Sequence, residues 1–283
     1  MRLQILGPLR LGAEQGEDLL PSEKAKCLLA YLSRTRRHEA SRDELVALLW
    51  PEAEAKRAYG SLRQAIRSIR MLQSRHDCDI LDAGQHLVRL DPAQLRTDLD
   101  DLLLAIAAGD RTEIDRATSL WADDLFGTGR SAGEDFDTWR ETEASTIRSD
   151  VVDAAVDRLG REQLFESDPP TAKSLCRFIL RVEPAHEDAH VQLIAQYIRT
   201  GDRWAALDQF RRHQDIFRTE LNLPPTEEAV QLIESLKPSP TSPLGAIPIG
   251  RPSLLIETSA VARGLQLAIE RSREELTHRL TAF

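Results

Sequence analysis

The chain has 283 residues, 41% hydrophobic and 29% charged with both signs present, a balance that argues for a globular protein and against a disordered one. Its longest unbroken apolar run, Leu102 to Ala108, falls far short of the ~20 residues that cross a bilayer, and no basic-then-apolar leader opens it. Cys27, Cys78 and Cys176 stand too far apart for a metal motif or a disulfide framework. The composition therefore predicts a soluble protein of the reducing cytoplasm, with no membrane partner, no cofactor and no metal.

The net charge of −9 argues at first against a nucleic-acid partner. That average hides an asymmetry. Residues 1–97 carry 16 basic against 13 acidic side chains, the remainder 21 against 33, and within 20–75 the ratio is 12 to 6. A locally basic front joined to an acidic rear requires an explanation.

Leu3 and Ile5, then Leu9 and Leu11, alternate with polar or small residues around Gly7-Pro8, predicting two short strand arms joined by a turn. A further turn is expected at 16–18. From Ser22 to Ser33, the positions Ala25, Leu28, Leu29 and Leu32 fall at helical spacing, and the tract Arg34-Thr35-Arg36-Arg37 ends this first helix in a basic loop. A capping box, Ser41 with Glu44 three residues on, opens a second helix with Leu45, Leu48 and Leu49 as its apolar stripe. Trp50-Pro51 closes it.

A third helix is predicted from Ala55 to about Ser74. Its buried stripe would be Leu62, Ala65, Ile66, Ile69 and Leu72, and its opposite face holds Lys56, Arg57, Arg63, Gln64, Arg67 and Arg70. Ile80-Leu81, the turn 82–85, and Leu87, Val88 and Leu90 then predict a β-hairpin that ends at Asp91-Pro92. This order of strands, two helices, a basic helix and a hairpin is the layout of a winged helix-turn-helix over residues 1–97.

From Asp98 the pattern is helical throughout: Leu99–Ala108, Arg111–Trp121, Phe136–Leu164, Thr171–Val182, His186–Arg199, Arg203–Leu221 and Thr226–Leu236. Ala172 and Ala206 stand 34 residues apart, as do Cys176 and Phe210, which is the period of tetratricopeptide (TPR) repeats and predicts a TPR-like domain over 98–236. Residues 237–252 read as a proline-rich linker. Residues 253–283 read as one strand and one amphipathic helix, too little for a core of its own, and so as a docked tail or the opening of a further domain. The fold class is mainly α with a small β component.

The basic face of the third helix is the main functional signal. An α-helix fits the major groove of B-DNA, where Arg and Gln form bidentate bonds to base edges, while basic loops contact phosphates. By that reasoning Arg63, Gln64, Arg67 and Arg70 would read or steer into the groove. Lys56, Arg57, Arg36 and Arg37 would hold phosphates, and Gln85 in the hairpin turn would touch the backbone. Charge alone fits a solvated helix face as well; the order of elements favours the groove.

His186-Glu187-Asp188-Ala189-His190 satisfies the H-E-x-x-H pattern of zinc proteases. It directly follows Pro184 in what would be an exposed first turn, where Glu187 and Asp188 suit the helix dipole, so no metal and no enzymatic activity is expected. The glycines at 127–133 lack phosphate-loop spacing. The four tryptophans are expected as core anchors, with Trp121 and Trp204 on helix faces.

Several segments resemble the SARP-type bacterial regulators, the antibiotic-regulatory activators and their relatives. They are Met1–Leu9, Ala25–Leu32, Ser41–Leu45, Leu48–Pro51 and the recognition-helix segment Ser61–Arg70, which adds Ser61 to the candidate DNA-binding residues. Downstream, Asp137–Trp139, Leu180–Glu187, Gly201–Leu207 and Glu220–Pro225 are similar to the family's bacterial transcriptional activation domain. The resemblance implies an OmpR-like winged helix followed by a TPR-like domain. It also implies an activator that binds direct repeats in double-stranded DNA as side-by-side protomers, a homodimer on DNA, and contacts RNA polymerase. The alternative is a TPR-like interaction adaptor, or a regulatory module of a larger signalling protein, without its own DNA binding.

Overall fold

The computed structural model of the chain describes residues 1–12, 17–127, 133–161 and 163–236, and is mainly helical with two small sheets. The predicted linker and tail lie outside the described residues, as does most of the 127–133 loop. The first sheet has β1 (Arg2–Gln4) at its centre, antiparallel to β2 (Arg10–Gly12) with Leu3 opposite Leu11, both fully buried. On the other side of β1 lies β6 (Arg96–Thr97), paired in parallel.

Helix α1 (Glu23–Arg34) starts where the Ser22 side chain accepts the Ala25 N–H, and it buries Ala25, Leu28, Leu29 and Leu32 as their spacing demands. Lys26 is buried with them because its ammonium meets Asp18 at 2.7 Å and Glu23 at 2.6 Å. Helix α2 (Arg42–Leu49) carries the complete Ser41–Glu44 capping box. Helix α3 (Ala55–His76) buries the predicted stripe plus Ala58, and ends at Asp77 in the left-handed region, φ 49°. Strands β4 (Leu81–Ala83) and β5 (Leu87–Leu90) form the expected hairpin, to which β3 (Glu39–Ser41) adds a third strand, Ala40 opposite Val88.

The rear consists of α4 (Asp98–Ala108), α5 (Arg111–Thr118), α6 (Glu134–Arg161), α7 (Leu164–Ser167), α8 (Pro169–Val182), α9 (Glu187–Arg199), α10 (Arg203–Ile216) and α11 (Glu227–Glu234). Three expectations are corrected here. The fifth helix stops at Thr118, so Trp121 packs from a loop, buried edge-on against Phe178. The predicted helix 136–164 is two helices, because Gln163 adopts φ 44° ahead of α7. The predicted helix 203–221 changes at Phe217 to a short π-helical segment that closes on Asn222, φ 53°.

The 34-residue offset has a structural counterpart. Asp168 and Asp202 cap α8 and α10 by accepting from Thr171 and Ala205, and Ala172 and Ala206, each four residues after its cap, are completely buried. The small residue lets each helix approach its neighbour closely.

The described residues pack as one unit, and contacts bridge the boundary expected at 97/98. Arg34 on α1 pairs with Glu143 on α6 at 2.5 Å, and Tyr31 on α1 meets Trp139 on α6 edge-to-face at 5.1 Å. The buried core is continuous from Leu3 to Leu193.

Candidate nucleic-acid interface

Helix α3 turns its apolar stripe inward and leaves an outward face that the sequence fills with cations. Lys56, Arg57, Arg63, Gln64, Arg67 and Arg70 are all exposed on it, and Ser61 is half-buried. At 3.6 residues per turn they form two adjacent rows: Lys56, Arg63, Arg67 and Arg70 in one, Arg57, Ser61 and Gln64 in the other. Ser68, exposed Met71 and Arg75 extend the second row and were not singled out from the sequence. Among the described residues, none of Lys56, Arg57, Arg63, Arg67 or Arg70 has an ion-pair partner. Elsewhere arginines commonly do, as with Arg34, Arg89, Arg111 and Arg212. Unpaired cations on one rigid surface keep their charge available to an anionic partner.

The hairpin is tied to this helix and to α2 by one bond each. Arg70 on α3 donates to the Ala83 carbonyl at 3.0 Å, and Arg42 at the start of α2 donates to the Gly84 carbonyl, also at 3.0 Å. Arg70 therefore also positions the turn that carries Gln85, which is exposed together with His86. The role of Arg42 was missed in the sequence because its acceptor is a backbone atom 42 residues away. At the N-terminal end of α3, the Tyr59 hydroxyl donates to Asp43 on α2, a bond that raises the pKa of the phenol. Arg89 on β5 is tied to Glu39 at 2.6 Å.

Arg36 and Arg37 are exposed on the loop between α1 and β3. The register that places Glu39 opposite Arg89 and Ser41 opposite Leu87 puts them at the far end of the second sheet from Gln85. No bond joins them to α3 among the described residues. The structure thus brings the α3 residues and the hairpin turn together and sets Arg36 and Arg37 apart.

The H-E-x-x-H segment is built for packing. His186 is the N-cap of α9, accepting the Ala189 N–H through Nδ1 at 3.3 Å. The expected exposure of this turn is corrected at His190, which is buried with Nε2 on the Pro184 carbonyl and Nδ1 on Gln209, both at 2.8 Å. Both ring nitrogens of His190 are thereby occupied, and no cluster of three potential metal ligands occurs among the described residues. Trp204 corrects a second expectation: it is 74% exposed on α10, not a core anchor. No described helix is long and apolar enough to cross a membrane.

Residues 101–237 match the family model of the bacterial transcriptional activator domain. Among solved structures the chain is similar to Mycobacterium tuberculosis EmbR in complex with a low-affinity phosphopeptide. The TM-score is 0.57 and the identity 21%, covering 82% of this chain and 64% of that one. The chain thus spans less than two thirds of that structure's length. No curated protein matches. Just under half of the chain therefore resembles a bacterial transcriptional activator domain, and the likeness to EmbR shows the fold alone.

Proposed function

We propose that the chain is a SARP-type regulator, a sequence-specific DNA-binding activator. Residues 1–97 act as the winged helix-turn-helix, with α3 entering the major groove and the β4–β5 turn serving as the wing. Residues 98–236 are the TPR-like activation domain that contacts RNA polymerase. Two protomers bind side by side on direct repeats in a promoter, in the cytoplasm. The reading rests on one observation: the outward face of α3 carries five cations without an ion-pair partner among the described residues, on a helix whose other side is locked into the core.

Within that face, Arg63 and Arg67 stand one helical turn apart and, with Gln64 beside them, offer the bidentate donors that base edges accept. Lys56, Arg57 and Ser61 would meet phosphates at the helix start. Arg36 and Arg37 would reach the backbone only where the duplex passes the far end of the second sheet. The decisive experiment is fluorescence anisotropy of the full chain on promoter DNA selected from genomic footprinting. The double variant Arg63→Ala, Arg67→Ala should lose roughly 2–6 kcal/mol of specific binding. Its melting curve should match the wild type, since both side chains are exposed. Undiminished retention of the promoter would overturn the assignment.

A further inference from the structure

Two features of the rear helices are left unexplained by DNA binding, and they are complementary. The first is a protrusion. Trp204 is 74% exposed near the start of α10, with Leu207 next to it at 40% exposure. Arg211, two turns along the same face, is exposed and has no ion-pair partner among the described residues. A tryptophan so placed exposes a large apolar area that association would remove from water. The second feature is a groove of about 240 Å³ between α6, α7, α8 and α9, floored by Leu159, Phe165, Cys176 and Ile179 and open at Val156 and Gly160. An apolar cavity of about 150 Å³ already admits benzene, so this one has room for an aromatic ring. Its edge is acidic: Asp188 lines it, and Asp153 lies one helical turn before Val156, neither with an ion-pair partner among the described residues.

The two features sit at opposite ends of one helix pair. The groove meets α9 at Asp188, Ala189 and Gln192, near its start, while Trp204 follows the turn after α9 ends at Arg199. A helix of 13 residues spans about 20 Å, too far for Trp204 to enter the groove of its own chain. We propose that the groove receives Trp204 of a second copy, with Arg211 of that copy facing the acidic edge. A protrusion at one end and a hole at the other form a heterologous, head-to-tail contact. The inference concerns the rear helices and does not depend on the DNA reading.

Sedimentation velocity on the full chain over a range of concentrations tests it. Trp204→Ala should weaken self-association about tenfold or more, as expected for the anchor of a small interface. Gly160→Arg should do the same by placing a long charged side chain across the opening. A Cβ at Gly160 meets nothing within 4 Å, and leaving glycine favours the helix, so the fold is retained and a thermal melt verifies it. The deciding sample is a mixture. The Trp204→Ala chain keeps the groove and the Gly160→Arg chain keeps the tryptophan, so a one-to-one mixture should yield a heterodimer that neither variant forms alone. A wild-type chain that stays monomeric throughout, or a mixture that fails to pair, overturns the proposal. Sensitivity to Gly160→Arg without sensitivity to Trp204→Ala assigns the groove to another occupant, such as the chain's own terminal segment or a small molecule, and overturns it equally.

Discussion

The Asp98 carboxylate, fully buried at the first residue of α4, accepts the backbone N–H of Ile5 at 2.8 Å across 93 residues of sequence. Its second oxygen accepts the Leu6 N–H at 3.2 Å. The turn after β1 is thereby bonded to the first rear helix. Two backbone donors that leave the sheet at this point would otherwise be buried without a partner.

Asp98→Ala should therefore lower the unfolding free energy by about 2–4 kcal/mol, since it orphans both donors, and Asp98→Asn should cost less because one acceptor remains. Burial pushes the Asp98 pKa up from 3.8 to about 6. A folded-state pKa above the unfolded one contributes stability that is full below 3.8 and lost as the pH rises through about 6. Urea denaturation across that window should show the wild type gaining on Asp98→Asn as the pH falls. Parallel curves for the two proteins would contradict this account.

The cations of α3 should be separable by salt. Each phosphate contact removed flattens the log–log dependence of DNA affinity on salt by about 0.9. Lys56→Ala should show that loss uniformly over all sequences. Gln64→Ala should keep the slope and relax the choice of sequence instead. Arg70→Lys should retain charge but weaken the bond to Ala83, loosening the turn, which hydrogen exchange at 83–87 would report. An unaltered slope in Lys56→Ala would remove that residue from the interface.

The α9–α10–α11 junction should be acid-sensitive. His213 is fully buried, with Nε2 accepting the Thr226 N–H at 3.2 Å, and it sits 5.0 Å from the His190 ring and 4.2 Å from Phe217. Burial and then the neighbouring His190 lower its pKa from 6.5 to about 4. The group thus contributes stability that is full above 6.5 and lost as the pH falls through about 4. Over that window the wild type should lose up to about 1.4 kcal/mol per pH unit more than His213→Gln. Equal slopes would show that His213 does not titrate on unfolding.

Thiol labelling should be selective. Burial drives the pKa values of Cys27 and Cys176 up to about 12, while Cys78 is half-buried. An alkylating reagent at mildly alkaline pH should modify Cys78 first in the folded protein and the other two only with urea. Mass spectrometry of the digested protein reads the order.

Much of this structure is written in short-range patterns. The Ser41–Glu44 box and the stripe Leu62 to Leu72 rest on spacings of three or four residues, so inspection of the chain finds them. The parts that escaped inspection depend on distant partners. Strand β3 has three residues and exists because β5 pairs with it, and β6 has two and exists because of β1. The burial of Asp98 follows from Ile5 and Leu6, and the kink before α7 has no glycine or proline at Gln163 to announce it. The cationic face was legible from periodicity; the anchoring of the hairpin by Arg70 on that face and by Arg42 on α2 was not, because both acceptors are carbonyls. Trp204 was misjudged because helical spacing alone does not tell which side of α10 has a neighbour.

The Arg34–Glu143 pair and the Tyr31–Trp139 contact clamp the longest helix, α6, onto the front of the molecule. A protomer seated by α3 would consequently aim its rear helices along one bearing around the duplex axis. Inserting about five base pairs, half a turn, between adjacent repeats should swing the second protomer to the opposite side and abolish cooperativity, whereas inserting ten should partly restore it. Promoter architecture would then be constrained by rotational phase as well as by base sequence.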